Sequence, residues 1–523
     1  MTMLFGTQAQ NATAAYGRKP ARVETCFAPD PEYGYTRVPV RWLRIDFEPG
    51  AVLRLSGTGS GTGAGTGAGA QARVLPEAGC RVDATKGEDV LMLEFTRPGQ
   101  WVVEPADGGP RTLIFVDPAG AWPVPAWSRP AAEFGIRPNV QGAQTEQINA
   151  ALLALEHEGG GVLVFGPGLY LTGTVVLRSN VTLYLHAGAV LQATDDPAAF
   201  PVEPEDAINR ELPPSLIPGA RRRLILGECV RGAAILGRGV ICGDGSAMRR
   251  KYHQPRLSTN LVRLVNCTDV TIEGVVLRDS EFWSVHVLHC RDVAFRWVKW
   301  LNEIPPRGWD AFRRPGSESV WNNADGLNPD SSQGVLAEDC FFHTGDDCVP
   351  VKNTSTWLGK LADVRDVVVR RCVMITPVTA LKLGTETLGE AMENIIFEDI
   401  EIVACSRALA IDLKDGVSVR GVVFRRVRVH RCNRPFDFWI LTREDRAGQE
   451  RFSRLSGVRL ENVDFCQVGV EGRNGESHVL GRDAEHGVED ITFRQVTIEG
   501  APLRALEGPA FETNAFATEL RFE

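Results

Sequence analysis

The chain has 523 residues, 43% of them hydrophobic and 24% charged, with a formal net charge of -9. That length allows two or more domains or one large elongated one. The acidic balance argues against nucleic acid or an anionic membrane surface as a main partner, and no apolar run approaches the roughly 20 residues that span a bilayer.

In chain order, the first 15 residues have no basic lead and no sustained apolar core, so they are not read as a secretory signal. From Thr36 to Val116, short alternating runs such as V-R-W-L-R-I-D-F and T-L-I-F-V are separated by Gly, Pro and Asp. They predict a small antiparallel β-sandwich. The glycine-rich stretch 57–70 lacks the lysine and following helix of a phosphate loop and reads as a hairpin tip. The proline-rich stretch 121–130 reads as a linker. One helix follows, with Thr145 as its expected cap and Ile148, Leu152 and Leu155 on one face.

Beyond it a strand–turn–strand pattern recurs eight times: two apolar positions, two polar residues, then two apolar positions. Its anchors are Val270, Val293, Val335, Val367, Ile395, Val422, Val458 and Ile491. The spacing of roughly 23 to 42 residues lies in the range of solenoids. Such units close no core alone, but stacked coils bury their inward residues and hydrogen-bond to the coils above and below. The expected fold is therefore all-β. It comprises an N-terminal β-sandwich domain over residues 1–125, with a flexible N-terminus, and a right-handed parallel β-helix over 126–523.

Twelve cysteines are sparse for this length, and no Cys-x-x-Cys appears. They read as buried free thiols rather than a zinc site, which suits a reducing, cytoplasmic setting. No metal and no other cofactor is expected.

Within Trp321 to Lys352, Asp325 precedes a glycine, and Asp346 and Asp347 follow another. Asp-Gly and Gly-Asp-Asp are ordinary turn sequences. On stacked coils, however, the later pair would come alongside the earlier aspartate. Three converging carboxylates repel one another and force at least one pKa up. A protonated carboxyl beside ionised ones is what glycosidic bond hydrolysis by an acid and a base requires.

The run N-N-A-D-G-L-N-P-D-S, followed by F-F-H-T-G-D-D-C-V-P-V-K, resembles the catalytic core of glycoside hydrolase family 28, the polygalacturonase family. Residues 134–152, 166–185, I-L-G-R-G-V-I-C-G-D-G and F-W-S-V-H at 282–286 are similar to flanking parts of the family's β-helix. The resemblance covers about residues 130–500. An N-terminal sandwich joined to a β-helix is also the architecture of the related dextranase-type family. The resemblance implies a carbohydrate substrate, with Asp346 as general acid and Asp325 and Asp347 holding and activating water. It also implies that Asn323 is the asparagine of the family's Asn-x-Asp-Gly, two residues before the first aspartate. An inverting reaction is implied, with carboxyl groups about 6.5–9.5 Å apart around that water.

Two departures follow from the same alignment. Thr379 stands where the family has a supporting histidine. The Arg-x-Lys pair that grips a uronate is not intact, because its positions fall on Ala410 and Asp412, or on Asp412 and Lys414. An aspartate there repels a uronate and suits sugar hydroxyls. The expected substrate is therefore a neutral poly- or oligosaccharide, or at least not plain polygalacturonate. A pectin hydrolase with a rebuilt grip and a non-catalytic carbohydrate-binding β-helix remain the alternatives. Lys352, Lys382 and Glu386 are candidates for lining the cleft. The insert at 302–321 offers Trp309, Phe312 and Trp321 for stacking on sugar rings. It is either a cleft wall or a contact in a homo-oligomer.

Overall fold

The computed structural model describes the chain outside residues 1–13, 17–18, 22–23, 31–33, 57–71, 85–89, 106–108, 202–221, 246–258, 303–322, 355, 358–359, 443–450 and 470–474. The glycine-rich stretch and the aromatic insert, with Trp309, Phe312 and Trp321, lie outside the described residues. The chain divides into two compact units. One is Met1–Ala28 with Thr36–Pro123, and the other is Pro29–Tyr35 with Val124–Glu523.

The first unit holds two five-stranded sheets. Leu53, Leu55, Leu91, Leu93 and Phe95 of one share a buried core with Leu43, Ile45, Trp101, Val103, Ile114 and Val116 of the other. It is a sandwich, though not a purely antiparallel one. Thr112–Asp117 runs parallel to the Arg41–Asp46 part of its neighbour, while antiparallel to Gly99–Val103.

The second unit is a right-handed parallel β-helix, the hand that parallel crossovers take. Each strand pairs with one from the coil before and one from the coil after, so a coil contributes three strands to three parallel faces. Ser128–Pro130, expected as part of a linker, already pairs with Gly161–Phe165 and so forms the first rung. Helix α1 (Thr145–His157) buries Ile148, Ala151, Leu152 and Leu155 against this end. Thr145 is its first residue and not its cap, because its hydroxyl accepts from the Gly173 N–H at 2.6 Å instead. Among the described residues no helix is long and apolar enough to cross a membrane.

The repeat anchors stack one upon another. Val270, Val293, Val335, Val367, Ile395, Val422, Val458 and Ile491 are consecutive Cα partners, each buried in one continuous core. The two polar residues of each repeat also have separate structural roles. The first faces outward, and the second takes a left-handed backbone that turns the chain, as at Asp339, Arg371, Asp399, Arg426, Asn462 and Gln495. Outward positions alternate in charge from rung to rung: Glu273, Arg296, Glu338, Arg370, Glu398, Arg425, Glu461, Arg494. Glu338 lies 2.8 Å from Arg296 and 2.7 Å from both Arg370 and Arg371. Cys267, Cys290, Cys340, Cys348, Cys372, Cys405 and Cys432 are buried free thiols.

This ladder specifies register electrostatically, because a slip of one coil opposes like charges. Burial works against the Glu338 charge, but hydrogen bonds from Arg370, Arg296 and Arg371 outweigh it and pull the carboxyl down to about 2. Its stabilisation is therefore complete above the ordinary glutamate range near 4.5 and is lost as pH falls toward about 2. Arg370→Glu sets carboxylates on three successive rungs. Cross-strand pairs contribute roughly 0.2–1 kcal/mol each, and these are partly exposed. The melting temperature should fall by a few degrees at low salt, and by less in about 1 M salt. An unchanged melting temperature at low salt would refute the ladder's role.

Candidate active site

Asp325 sits in the bend entering the strand Leu327–Asp330, and Asp346–Asp347 in the bend entering Val349–Asn353, one coil later. Backbone bonds lock these bends together. The Ser284 N–H donates to the Asp325 carbonyl at 2.7 Å, and the Gly326 N–H donates to the Asp347 carbonyl at 2.9 Å. Glycine at 326 is required by this approach, since a Cβ there would lie 2.5 Å from the Cys348 carbonyl. The Asp346 carbonyl accepts from Thr344 and Thr376 hydroxyls at 2.6 and 2.5 Å, which fixes the turn from below and above.

The three aspartates therefore converge. Asp325, Asp346 and Asp347 each present a carboxylate oxygen within 4.8 Å of the other two. That is closer than the expected 6.5–9.5 Å. The cause is the rung spacing, since parallel strands lie about 4.8 Å apart and two of the residues are adjacent in sequence.

Two lysines divide this negative charge. Lys382 Nζ donates to Asp347 Oδ2 at 2.7 Å, while the Thr379 N–H donates to Oδ1 at 3.1 Å. Lys352 Nζ lies 3.0 Å from Glu386 and 3.5 Å from Asp325 Oδ2, with the Trp283 ring centroid at 4.1 Å. Trp283 also donates its ring N–H to Asn323 Oδ1 at 3.3 Å. Lys352 and Lys382 thus border the aspartates directly, while Glu386 is joined to the site through Lys352 and Asn323 is bonded to Trp283.

Burial separates the protonation of the carboxyls. Asp325 is buried, its Oδ2 has no hydrogen bond, and desolvation pushes its pKa well up. The charges of Asp346 and Asp347 push in the same direction, and Lys352 offsets only part of this. Burial also opposes ionisation of Asp347, but Lys382, Arg407 and Lys352 outweigh it and hold that carboxyl below the usual range. Burial thus raises the proton affinity of Asp325 while the cations lower that of Asp347, whereas the resemblance had implied Asp346 as the acid.

Two sequence expectations change. Asp412 was expected to accept bonds from sugar hydroxyls, but its carboxylate is already engaged. Arg407 Nη2 lies 3.1 Å from it, the Trp439 ring N–H donates to it at 2.5 Å, and Lys382 Nζ lies at 4.0 Å. Lys414 follows the end of the strand Ala391–Leu413 and stays outside this network, with its backbone N–H donating to the Thr387 hydroxyl. Motif reasoning overlooked Arg407, Asp437, Trp439 and His478. Arg407 donates to the Thr379 hydroxyl at 3.0 and 3.2 Å and pairs with Asp437 at 3.3 Å. His478 Nδ1 lies 2.7 Å from Asp437, and its ring stacks on Trp439 at 4.6 Å. The signal that finds them is the coil register: Thr379, Arg407 and Arg434 are successive Cα partners.

The profile of the family described as Glycosyl hydrolases family 28 matches residues 217–506, which contain every residue of this site. The chain belongs to glycosyl hydrolases family 28. A Vitis vinifera protein named "Probable polygalacturonase" is 30% identical over 311 residues, 57% of this chain and 59% of that protein. This family 28 chain thus spans well under two thirds of that relative. In fold it is similar to an exopolygalacturonase from Thermotoga maritima (TM-score 0.55, 20% identity, 72% of this chain and 88% of that one). It is also similar in fold to Dex49A from Penicillium minioluteum (TM-score 0.59, 11% identity, 99% and 94%).

The raised pKa of Asp325 has a stability consequence. As pH rises above the ordinary aspartate range, the unfolded chain releases this proton before the folded one does, so stability falls with pH. Asp325→Asn removes that penalty. It is expected to raise the melting temperature at pH 7, by about 2–4 °C per kcal/mol for a mid-sized domain, and to have little effect near pH 3. No gain at pH 7, or an equal gain at pH 3, would contradict the assignment.

Proposed function

We propose that the chain hydrolyses a glycosidic bond of a poly- or oligosaccharide lying in the groove beside the three aspartates. The observation that carries this reading is the convergence of Asp325, Asp346 and Asp347 within 4.8 Å, with their protonation split by burial and by Lys382. Asp346 is the most exposed of the three at 6%, against 1% for Asp325 and 3% for Asp347. That favours Asp346 as the acid that protonates the departing oxygen. Asp347, ionised and held by Lys382 and Thr379, takes the proton from the attacking water, and Asp325 holds that water. The water oxygen bonds to the anomeric carbon as the bond to the leaving oxygen breaks. One proton leaves Asp346 and one arrives on Asp347, so the charges balance and solvent exchange resets the pair.

We propose inversion, with water attacking directly. The short carboxylate separation supports a second reading, since retaining enzymes place their two carboxyls about 5–5.5 Å apart and form a covalent intermediate. For substrate we favour a glycan other than plain polygalacturonate. In support, the gripping positions fall on Ala410 and Asp412, or on Asp412 and Lys414, so that the pair is intact in neither, and Lys352, Lys382 and Arg407 are each engaged by protein carboxylates. A galacturonan is the competing substrate, favoured by the names of the Vitis vinifera and Thermotoga maritima proteins.

The full chain should be offered polygalacturonate, dextran and other neutral α-glucans, with proton NMR of the first anomer released. Initial release of the opposite anomer supports inversion, whereas the same anomer supports the covalent route. Asp346→Asn should lower turnover of the natural glycan by at least about 100-fold. It should lower turnover less on an aryl glycoside, whose leaving group needs no proton. Retention of full activity on the natural glycan would remove Asp346 from the acid's role.

A further inference from the structure

Arg407 lies on the coil after Thr379, in Cα register with it, and its guanidinium gathers several groups of the site. Nε and Nη2 both donate to the Thr379 hydroxyl, at 3.2 and 3.0 Å. The same group pairs with Asp412 at 3.1 Å and Asp437 at 3.3 Å. Each of those carboxylates is fixed in turn. Asp412 accepts from the Trp439 ring N–H, while Asp437 is held by Arg434 at 2.8 Å and by His478 at 2.7 Å. Arg407 is thus gripped by a frame two rungs deep, and what it grips is the residue whose backbone N–H donates to Asp347 Oδ1.

We propose that Arg407 is a positioning residue for Asp347. Clamped by Asp412 and Asp437, it fixes Thr379 against one oxygen of Asp347 and supplies positive charge behind that carboxylate. Asp412 is then the counter-ion of Arg407 and not a contact for sugar. The proposal rests on the reading of Asp347 as the group that takes the proton from water.

The surroundings of Asp347 leave a clear role for this charge. Asp346 faces it from its own turn and Asp325 from the preceding coil, and both repel it. Lys352 acts from the following strand, Lys382 from the next coil and Arg407 from the coil beyond. Glu386 draws on Lys352, and Asp412 lies 4.0 Å from Lys382. Two repelling carboxylates and burial are therefore opposed by three cations, each shared with other carboxylates nearby. After burial, which raises the pKa of Asp347, Lys382 and then Arg407 contribute most to lowering it.

A purely structural role, neutralising Asp412 and Asp437, makes a different prediction. The test compares wild type, Arg407→Lys and Arg407→Gln in the full chain. It reads the acidic limb of kcat/KM against pH on the glycan that is cut. It also reads the titration of the Asp347 carboxyl by carbon NMR of aspartate-labelled protein, assigned by its loss in Asp347→Asn. Arg407→Gln should move both midpoints up by about half a pH unit or more, threefold in proton affinity, and Arg407→Lys should restore most of that shift. A fall in kcat at every pH with both midpoints unmoved would overturn the proposal and leave Arg407 as structural support. If Arg407→Gln does not fold, the double variant with Asp412→Asn removes the charge pair together and gives the same two readings. The NMR arm needs no substrate. A wild-type chain that cuts no glycan therefore sinks the hydrolase reading, while the Asp347 titration still decides the role of Arg407.

Discussion

Parallel strands stacked in register, about 4.8 Å apart, impose the distance on which the rest of this β-helix depends. Residues that are a full coil apart in sequence become neighbours, and the spacing is the same at every rung. Inward positions therefore receive one apolar residue per coil, as from Val270 to Ile491. Outward positions receive one charge per coil, and the alternation from Glu273 to Arg494 avoids opposing like charges on neighbouring rungs.

At the active site the same rule operates against electrostatics. Asp325 and Asp347 sit on successive coils, and the Gly326 N–H bond to the Asp347 carbonyl holds their two bends together. The fold holds negative charges together that would otherwise repel, and this cost resembles the strain that functional sites carry. Two buried lysines relieve it unequally. Lys382 makes a direct hydrogen bond to Asp347, whereas Lys352 stands 3.5 Å from Asp325 and is drawn toward Glu386. That asymmetry gives chemically identical carboxyls different proton affinities.

Much of this was legible in the sequence. The eight anchors give the register, and the three aspartates fall at motif positions whose spacing follows from one coil. The short carboxylate separation was also implicit in that spacing, although the general range for inverting enzymes obscured it. Thr145 misled because a threonine before an apolar helical face reads as a cap, while its hydroxyl serves a strand bend 28 residues away. Asp412 misled for a deeper reason. Its type and position were readable, but a side chain's partner depends on what the neighbouring coils present. Arg407 stands five residues before Asp412 on the same strand, and Trp439 reaches it from the next coil. Pairings of this kind become visible only once the register is known.

The register also suggests how such a groove changes its preference without changing its fold. Lys382 is the Cα partner of Ala410, and Arg407 is the Cα partner of Thr379, so each cation stands one rung from a position where the family pattern is broken. Moved by a rung, a cation meets the protein's own carboxylates first: Asp347 for Lys382, and Asp412 with Asp437 for Arg407. A charge engaged in this way stabilises the ionised form of Asp347 but has less net attraction left for an anionic ligand. Keeping the three aspartates while turning the surrounding cations inward leaves the acid–base machinery in place.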